Sequence, residues 1–397
     1  MSGMLDITYN NVTYALYRYT SKLTQLQEEA STGSKINRVS DDPSDAYRVL
    51  TLQNEESSLK NYSDKLADMC NTLDTSSSIV QSMASTINTA KVDITQVTSG
   101  TYDQSSRDST ASAINDLLGQ LVQMANTQYD GQYLFGGNNT SSAPFVAKYD
   151  SSGNITSVTY QGSQQDRTVE VAPGVSASAY INGDDLFSSN DRGTPVFTST
   201  TGAAAGSGTS SVTGSVWLTV SADDDGNYKL SIDDGASWVS VPPGGDDNLA
   251  VTDSRTGKVL YVNTKGITAT GTDLVRVPGT QNAFNALIDI RDMLKNDKGL
   301  SNSQLSDLRD SLSNSLDEVS SLLMSKESTL GSKSSFLNNL KTSLDSLNTT
   351  NSDEVDSIKQ ADVAQVSVDL SRYQNLYQMS LAVAGKLLSV SLLDYIQ

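Results

Sequence analysis

The chain has 397 residues, 37% of them hydrophobic and 18% charged, and carries a formal net charge of -19. That length allows two or three domains, but 6 Phe, 2 Trp and 7 Pro favour elongated, well-solvated modules over one large globular core. The absence of histidine excludes Ser/His/Asp and Cys/His catalysis, and so acidic a balance excludes nucleic acid and an anionic membrane as partners, because phosphate binding needs a concentrated basic surface.

The N-terminal "MSGMLDITYNNVTYALY" lacks a basic n-region, a continuous apolar run and a small-residue cleavage site, so it does not read as a secretory signal peptide. From Val12 an apolar stripe runs through Leu16, Tyr19, Leu23 and Leu26 in alternating steps of four and three, the spacing of a helical seam. The stretch "STGSKINRVSDDPSDAYRVL", residues 31–50, interrupts it. Gly33 is placed to end a helix with positive φ; Asp42 then Pro43 reads as N-cap and first helical position, with Asp45 in the positive first turn. Between these caps Ile36 and Val39 are expected to be apolar anchors, leaving Lys35, Asn37 and Arg38 outward.

Helical spacing resumes at Leu52 and continues through Leu59, Leu66, Leu73, Val80, Ile87, Ile94 and Val97, a helix on the order of 70 Å long at about 1.5 Å per residue. Cys70, the single cysteine, lies beside this stripe and reads as a buried small hydrophobe that cannot form an internal disulfide. "TSGTYDQSSRDST" ends the helix, and Ile114, Leu118, Leu121 and Ala125 mark the next one.

Between about 130 and 280 apolar and polar residues alternate around Asp-Gly turn signals, as in "YDGQYLFGG" and "VSADDDGNYKLSIDDGASWVSV", which predicts hairpins. "TSTTGAAAGSGTSSVTGS" inside this region is expected to be a flexible loop. The acidic runs at 223–227 and 233–235 lack the D-x-D-x-D-G spacing of a calcium loop and fit hairpin turns. Trp217, Trp238 and Tyr228 read as core aromatics, with a glycan-stacking role as the alternative. Residues 181–260 hold 11 Asp against 4 basic residues, whereas the first 50 and last 37 residues are each near neutral, so the ends are expected to pack and the middle to be solvated.

Helical spacing returns at Ala283, Leu287, Ile290 and Leu294, then runs through Leu305, Leu312, Val319, Leu322, Phe336, Leu340 and Leu347; the polar "NTTNSDE" is expected to separate this from a terminal helix. That helix has two stripes, one with Leu370, Tyr373, Tyr377, Leu381 and Leu388, the other with Leu376, Met379, Val383 and Leu387. Gln378, Lys386 and several serines inside "LYQMSLAVAGKLLSVSLLDYI" argue against membrane insertion, a central Lys alone costing roughly 2.5–3.5 kcal/mol. A helix apolar on most of its circumference must be buried on most of it. One antiparallel N-terminal helix covers a single face, so other copies of the chain are the economical source of the rest. The fold class expected is mainly α with a β insertion: an antiparallel helical bundle or coiled coil from the terminal thirds, carrying a central, mostly β outer domain.

The stretch at residues 31–50 resembles the N-terminal signature of the flagellin-like axial proteins of bacterial flagella, and "LSRYQNLYQMSLAVAGKLLSVSLLDYI" resembles its C-terminal counterpart. "DGQYLFGGNNTSSAPF", residues 130–145, is similar to a segment of the branch that forms the junction between hook and filament. The β insertion falls outside the resemblance. The resemblance implies a structural, non-enzymatic protein without cofactor or metal that self-associates as a ring or helical layer between a neighbouring hook-associated protein and flagellin. It further implies a cytosolic export chaperone, export through the flagellar type III apparatus without a cleaved signal peptide, and an extracellular location. It makes residues 1–40 and 351–397 inner-tube helices, 41–146 and 281–350 a helical middle domain, and 147–280 the outer domain. Gly33, Lys35, Asn37, Arg38, Asp41, Asp42 and Pro43 match the signature and receive an assembly role. The alternatives are a flagellin forming the filament itself and a surface adhesin with a glycan-binding insertion.

Overall fold

The computed structural model describes residues 2–97 and 103–396, with side chains described for residues 7, 9–96 and 103–387. Among them the chain runs α1 (Ser2–Thr32), α2 (Pro43–Val97) and α3 (Gln104–Ala125) before its β region. That region holds β1 (Gln128–Tyr129), β2 (Gln132–Tyr133), β3 (Phe145–Tyr149), β4 (Ile155–Tyr160), β5 (Arg167–Ala172), β6 (Val175–Tyr180) and a short α4 (Gly183–Phe187). It continues with β7 (Val196–Thr198), β8 (Ala204–Ala205), β9 (Gly214–Ala222), β10 (Tyr228–Ser231), β11 (Val239–Ser240), β12 (Leu249–Thr252), β13 (Val259–Asn263) and β14 (Gly271–Val277). Then come α5 (Ala283–Lys295), α6 (Asn302–Lys359) and α7 (Val363–Ile396). The protein is thus mainly helical with a central β region, in two compact units: Met1–Asp64 with Leu340–Gln397, and Lys65–Asn339. No helix among the described residues is long and apolar enough to cross a membrane.

In the first unit α1 and α7 lie antiparallel. Leu26, 3% exposed, packs with Ala361, Val366, Leu370 and Tyr373, and nearer the other end the Tyr19 and Tyr373 rings meet at 6.1 Å. The parts of α2 and α6 in this unit are also antiparallel: Arg48 pairs with Glu354, and the Ser63 hydroxyl donates to Asp345 Oδ1 at 2.6 Å.

In the second unit α2 and α6 keep the same sense, with Ser334 donating to Asp74 at 2.7 Å and Lys91 pairing with Asp317. The expected α2 stripe is the buried one; Leu66, Leu73, Val80, Met83, Ile87 and Ile94 are sealed, and Cys70 is buried beside them. Val97 has its side chain outside the described residues, as does most of the predicted helix end at 98–102. The α6 seam holds as expected at Leu305, Leu312 and Val319 and departs from expectation beyond them. Its buried leucines repeat every seven residues, Leu316, Leu323, Leu330 and Leu337, whereas Phe336 is 58% exposed. One residue is about 100° of helix, so a stripe read through Leu322 and Phe336 runs one position beside the true seam.

Around α3 and α5, four of the six phenylalanines form one cluster, Phe145 standing 5.1 Å from Phe284 and 5.2 Å from Phe187, with Phe135 5.6 Å from Phe187. Gly183 lets the chain pass over it, since a Cβ there would lie 2.8 Å from the Phe145 ring. Beyond it, an antiparallel sheet in the order β11-β10-β9-β14-β7 and a three-stranded sheet β12-β13-β8 bury a shared core that includes Leu218, Leu230, Leu260 and Val275. The hairpin turns fall where Asp-Gly signals place them: Asp130 and Gly131 both have positive φ, and Gly226 and Gly235 each have φ +83.

The stretch expected to be a flexible loop is instead held. Ser210 and Ser211 accept from the amides of Tyr261 and Val259, Asn248 accepts from the Gly208 amide, and Thr201 donates to the buried Asp273. Its glycines serve close packing, because a Cβ on Gly208 would sit 2.5 Å from the Tyr261 ring. Low complexity here reflects tight approach of backbone to side chain, not lack of structure. Of the three aromatics, Tyr228 packs against the sheet core, Trp217 is half-buried with the Lys298 ammonium 5.1 Å from its ring, and Trp238 is partly exposed beneath Lys229.

Candidate functional site

Two helix breaks in the first unit meet. The first is the loop after α1. Gly33 has φ +68 and its amide donates to the carbonyl of Glu29 at 2.9 Å, which closes α1. Asp42 Oδ1 accepts from the amides of Ser44 and Asp45, both at 3.0 Å, which opens α2 behind the exposed Pro43. The second break lies between α6 and α7 at residues 360–362. It was expected earlier, at "NTTNSDE", but α6 runs through that segment, where Thr349 and Thr350 turn their hydroxyls onto the carbonyls of Asp345 and Ser346. Polarity without Gly or Pro does not stop a helix whose neighbours hold it. The signal that marks the true break is Asp362, whose Oδ1 accepts from the amides of Ala364 and Gln365 at 3.0 Å and caps α7.

Ser34 and Gln360 form an antiparallel β-bridge: the Lys35 amide donates to the Lys359 carbonyl at 2.7 Å, and the Ala361 amide to the Gly33 carbonyl at 2.9 Å. Within the loop, Asp41 Oδ2 accepts from the amides of Asn37 and Arg38 at 3.0 and 2.7 Å, and the Asn37 side-chain amide donates to the Ser34 carbonyl at 2.8 Å. Asn37 is therefore turned into the loop instead of outward, and Asp41 is its internal staple. Lys35 and Arg38 are exposed as expected, and each pairs within the chain, Lys35 with Asp45 at 3.3 Å and Arg38 with Glu28 at 3.1 Å. Exposed pairs of this kind contribute little to stability, so both cations stay available to a better-placed acceptor. Ile36 is half-buried, but Val39 is 63% exposed and anchors nothing, because the backbone hydrogen bonds to Asp41 already fix that turn.

Of the N-terminal seam, Leu26 is buried and Val12, Leu16, Tyr19 and Leu23 are half-buried. On α7, Leu370, Tyr373, Leu376, Tyr377 and Leu387 are half-buried, and Leu388 has its side chain outside the described residues. Met379 is 66% exposed, and Leu381 and Val383 are close to half exposed. On α1, Tyr14 and Tyr17 also face out. The helix pair therefore covers the first stripe at Leu370 and Tyr373 and leaves Met379 and Val383 of the second stripe, with Leu381 of the first, open. Among the described residues no group of His, Cys, Asp or Glu is arranged to hold a metal ion. What the site offers is shape: two capped breaks locked by backbone, beside an apolar helical face.

Residues 6–140 match the family model of the bacterial flagellin N-terminal helical region. Over part of its length the chain also resembles hook-associated proteins of type 3. It is 29% identical over 122 residues to flagellar hook-associated protein 3 of Salmonella typhimurium, and 29% identical over 119 residues to that of Escherichia coli. Each match spans 30% of this chain and 38% of the relative. Among solved structures, flagellar hook associated protein-3 from Legionella pneumophila is similar with a TM-score of 0.50 and 16% identity, covering 83% of this chain and 99% of that one, a likeness of fold alone.

Proposed function

We propose that this chain is a non-enzymatic structural component of the bacterial flagellum that forms the junction layer between hook-side and filament-side proteins through self-association of its terminal helices. The observation that carries the reading is the exposed pair Met379 and Val383, one helical turn apart on the second stripe of a helix whose first stripe packs against α1 at Leu370 and Tyr373, in a chain similar to hook-associated protein 3. Exposed apolar side chains at helical spacing gain most when a second helix buries them, and an identical copy supplies one.

On this reading residues 1–40 and 351–397 line the inner tube, 41–146 and 281–350 form the middle layer, and 147–280 faces outward. The loop residues Lys35, Arg38 and Pro43 contact adjoining subunits, while Gly33, Asn37, Asp41 and Asp42 hold the loop that presents them. A cytosolic chaperone covers the α7 stripe before export through the flagellar type III apparatus, and a hook-associated protein and flagellin are the axial neighbours outside the cell. Mixing the purified chain with short hook fragments and then flagellin tests this. A limited layer that afterwards accepts flagellin is expected; long filaments of the chain alone would establish the flagellin reading instead.

A further inference from the structure

A groove of about 510 Å³ lies in the second unit beside the β1–β2 hairpin. Its walls include Tyr129 and Gln132 of the hairpin, Arg167 and Tyr180 of β5 and β6, and Thr72 of α2. The sequence prepares it locally. Asp130 and Gly131, at φ +50 and +71, make a tight turn that sets Tyr129 directly opposite Gln132, so both side chains leave the same face of the hairpin. On the neighbouring ribbon Arg167 is in register with Tyr180, and its guanidinium carbon lies 5.4 Å from that ring. Its Nη1 donates to Gln132 Oε1 at 2.8 Å. Stacking and hydrogen bond together hold the guanidinium in place.

The chain has 46 acidic against 27 basic residues, yet among the described residues no carboxylate lies within ion-pair distance of Arg167. An oriented fork of donors without an acid partner is a ready acceptor site for a planar carboxylate. Tyr180 meets the buried Thr72, and burial pushes its phenol up, so the hydroxyl keeps its proton across the neutral range. Tyr129 adds a second half-buried ring. On the rim Asp68 and Asp130 repel a polyacidic chain, but they accept hydrogen bonds from neutral hydroxyls, and Lys65 stands among them.

We propose that this groove binds a carboxylate-bearing saccharide of one or two rings. The carboxylate sits on Arg167, the C–H face of the sugar ring lies on Tyr129, and ring hydroxyls reach Gln132 and the rim carboxylates. A ligand with one negative charge and several hydroxyls matches Arg167, Gln132 and the rim carboxylates, where a second negative charge would face Asp68 or Asp130. The site is independent of the terminal helices and of any role in assembly.

Titration calorimetry on the full chain with D-galacturonate, N-acetylneuraminate, methyl galactoside and triglutamate tests it. At least one of the two sugar acids should bind saturably, with methyl galactoside and triglutamate each about tenfold weaker or more, the worth of one good charged hydrogen-bonding pair. Arg167→Gln and Tyr129→Ala should each weaken binding about tenfold, with unchanged melting of Tyr129→Ala reporting an intact fold. No saturable binding of either sugar acid to the wild-type chain, equal binding of the neutral sugar, tighter binding of triglutamate, or full retention in Arg167→Gln would overturn the proposal.

Discussion

The amide of Ala361 donates to the carbonyl of Gly33 at 2.9 Å, so the residue that ends α1 also holds the break between α6 and α7. Gly33 reaches this position only with φ +68, and a Cβ there would meet nothing within 4 Å. The penalty for another residue is therefore one of backbone alone. Gly33→Ala is expected to cost about 1–2 kcal/mol in the stability of the first unit, and Gly33→Asn less, because Asn tolerates the left-handed region. Urea denaturation followed by circular dichroism checks the order; equal stability of all three would mean that the loop re-forms with negative φ.

Asp42 and Asp362 cap α2 and α7 from the two sides of the same bridge. Replacing either by Ala should cost about 1 kcal/mol, and by Ser or Asn much less. Because Gly33 and Ala361 tie the two breaks, the substitutions should also couple. Asp42→Ala is expected to speed amide exchange at Ala361 as well as in the first turn of α2, and exchange confined to the α2 turn would show that the breaks act separately.

Much of this architecture is legible in the residues. The α2 stripe from Leu66 to Ile94, the hairpins at Asp-Gly turns and the caps at Gly33 and Asp42 all follow from local chemistry, and the structure places them as read. What local reading misses is set by long-range contacts. Phe336 and Leu337 are adjacent and equally apolar, and only the partner helix decides which one is buried. The glycine-rich stretch near 198–215 reads as flexible until Tyr261 and Asp273 are seen holding it. In the loop, Asn37 and Val39 exchange their expected directions because Asp41 claims two backbone amides, a local hydrogen bond that outweighs the apolar pattern.

In the second unit Asp289 of α5 is a carboxyl with Oδ2 sealed from solvent and without a hydrogen-bond partner, and burial pushes it up to about 7. Ser215 beside it and Arg291 act in the opposite direction, and Asp292 adds to the rise. The unfolded chain releases this proton near pH 3.9, so between about pH 4 and 7 the folded state binds a proton that the unfolded state lacks. The contribution of Asp289 to stability is fully present below pH 4 and lost as pH rises to 7. Relative to wild type, Asp289→Asn should gain on the order of 2–4 kcal/mol across that window and show no further change above it. Denaturant midpoints at half-unit steps of pH measure the difference; parallel curves for the two proteins would place the carboxyl in water.

Leu26 and Met379 separate folding from assembly. Leu26 is buried between α1 and α7, and Leu26→Ala should destabilise the first unit by roughly 2–5 kcal/mol, the usual cost of emptying a packed leucine site. Met379 is 66% exposed in the single chain, and Met379→Asp should leave that stability within about 0.5 kcal/mol of wild type, as surface substitutions do. Its effect is expected in association, where a charge enters an apolar seam with no partner. Leu387→Asp, on the same stripe but half-buried, should impair both. Sedimentation velocity and urea denaturation on the three variants read the two properties apart. If Met379→Asp associates like wild type, the Met379 face of α7 is not the surface on which copies meet, and the exposed Tyr14 and Tyr17 of α1 are the next face to test by the same measurement.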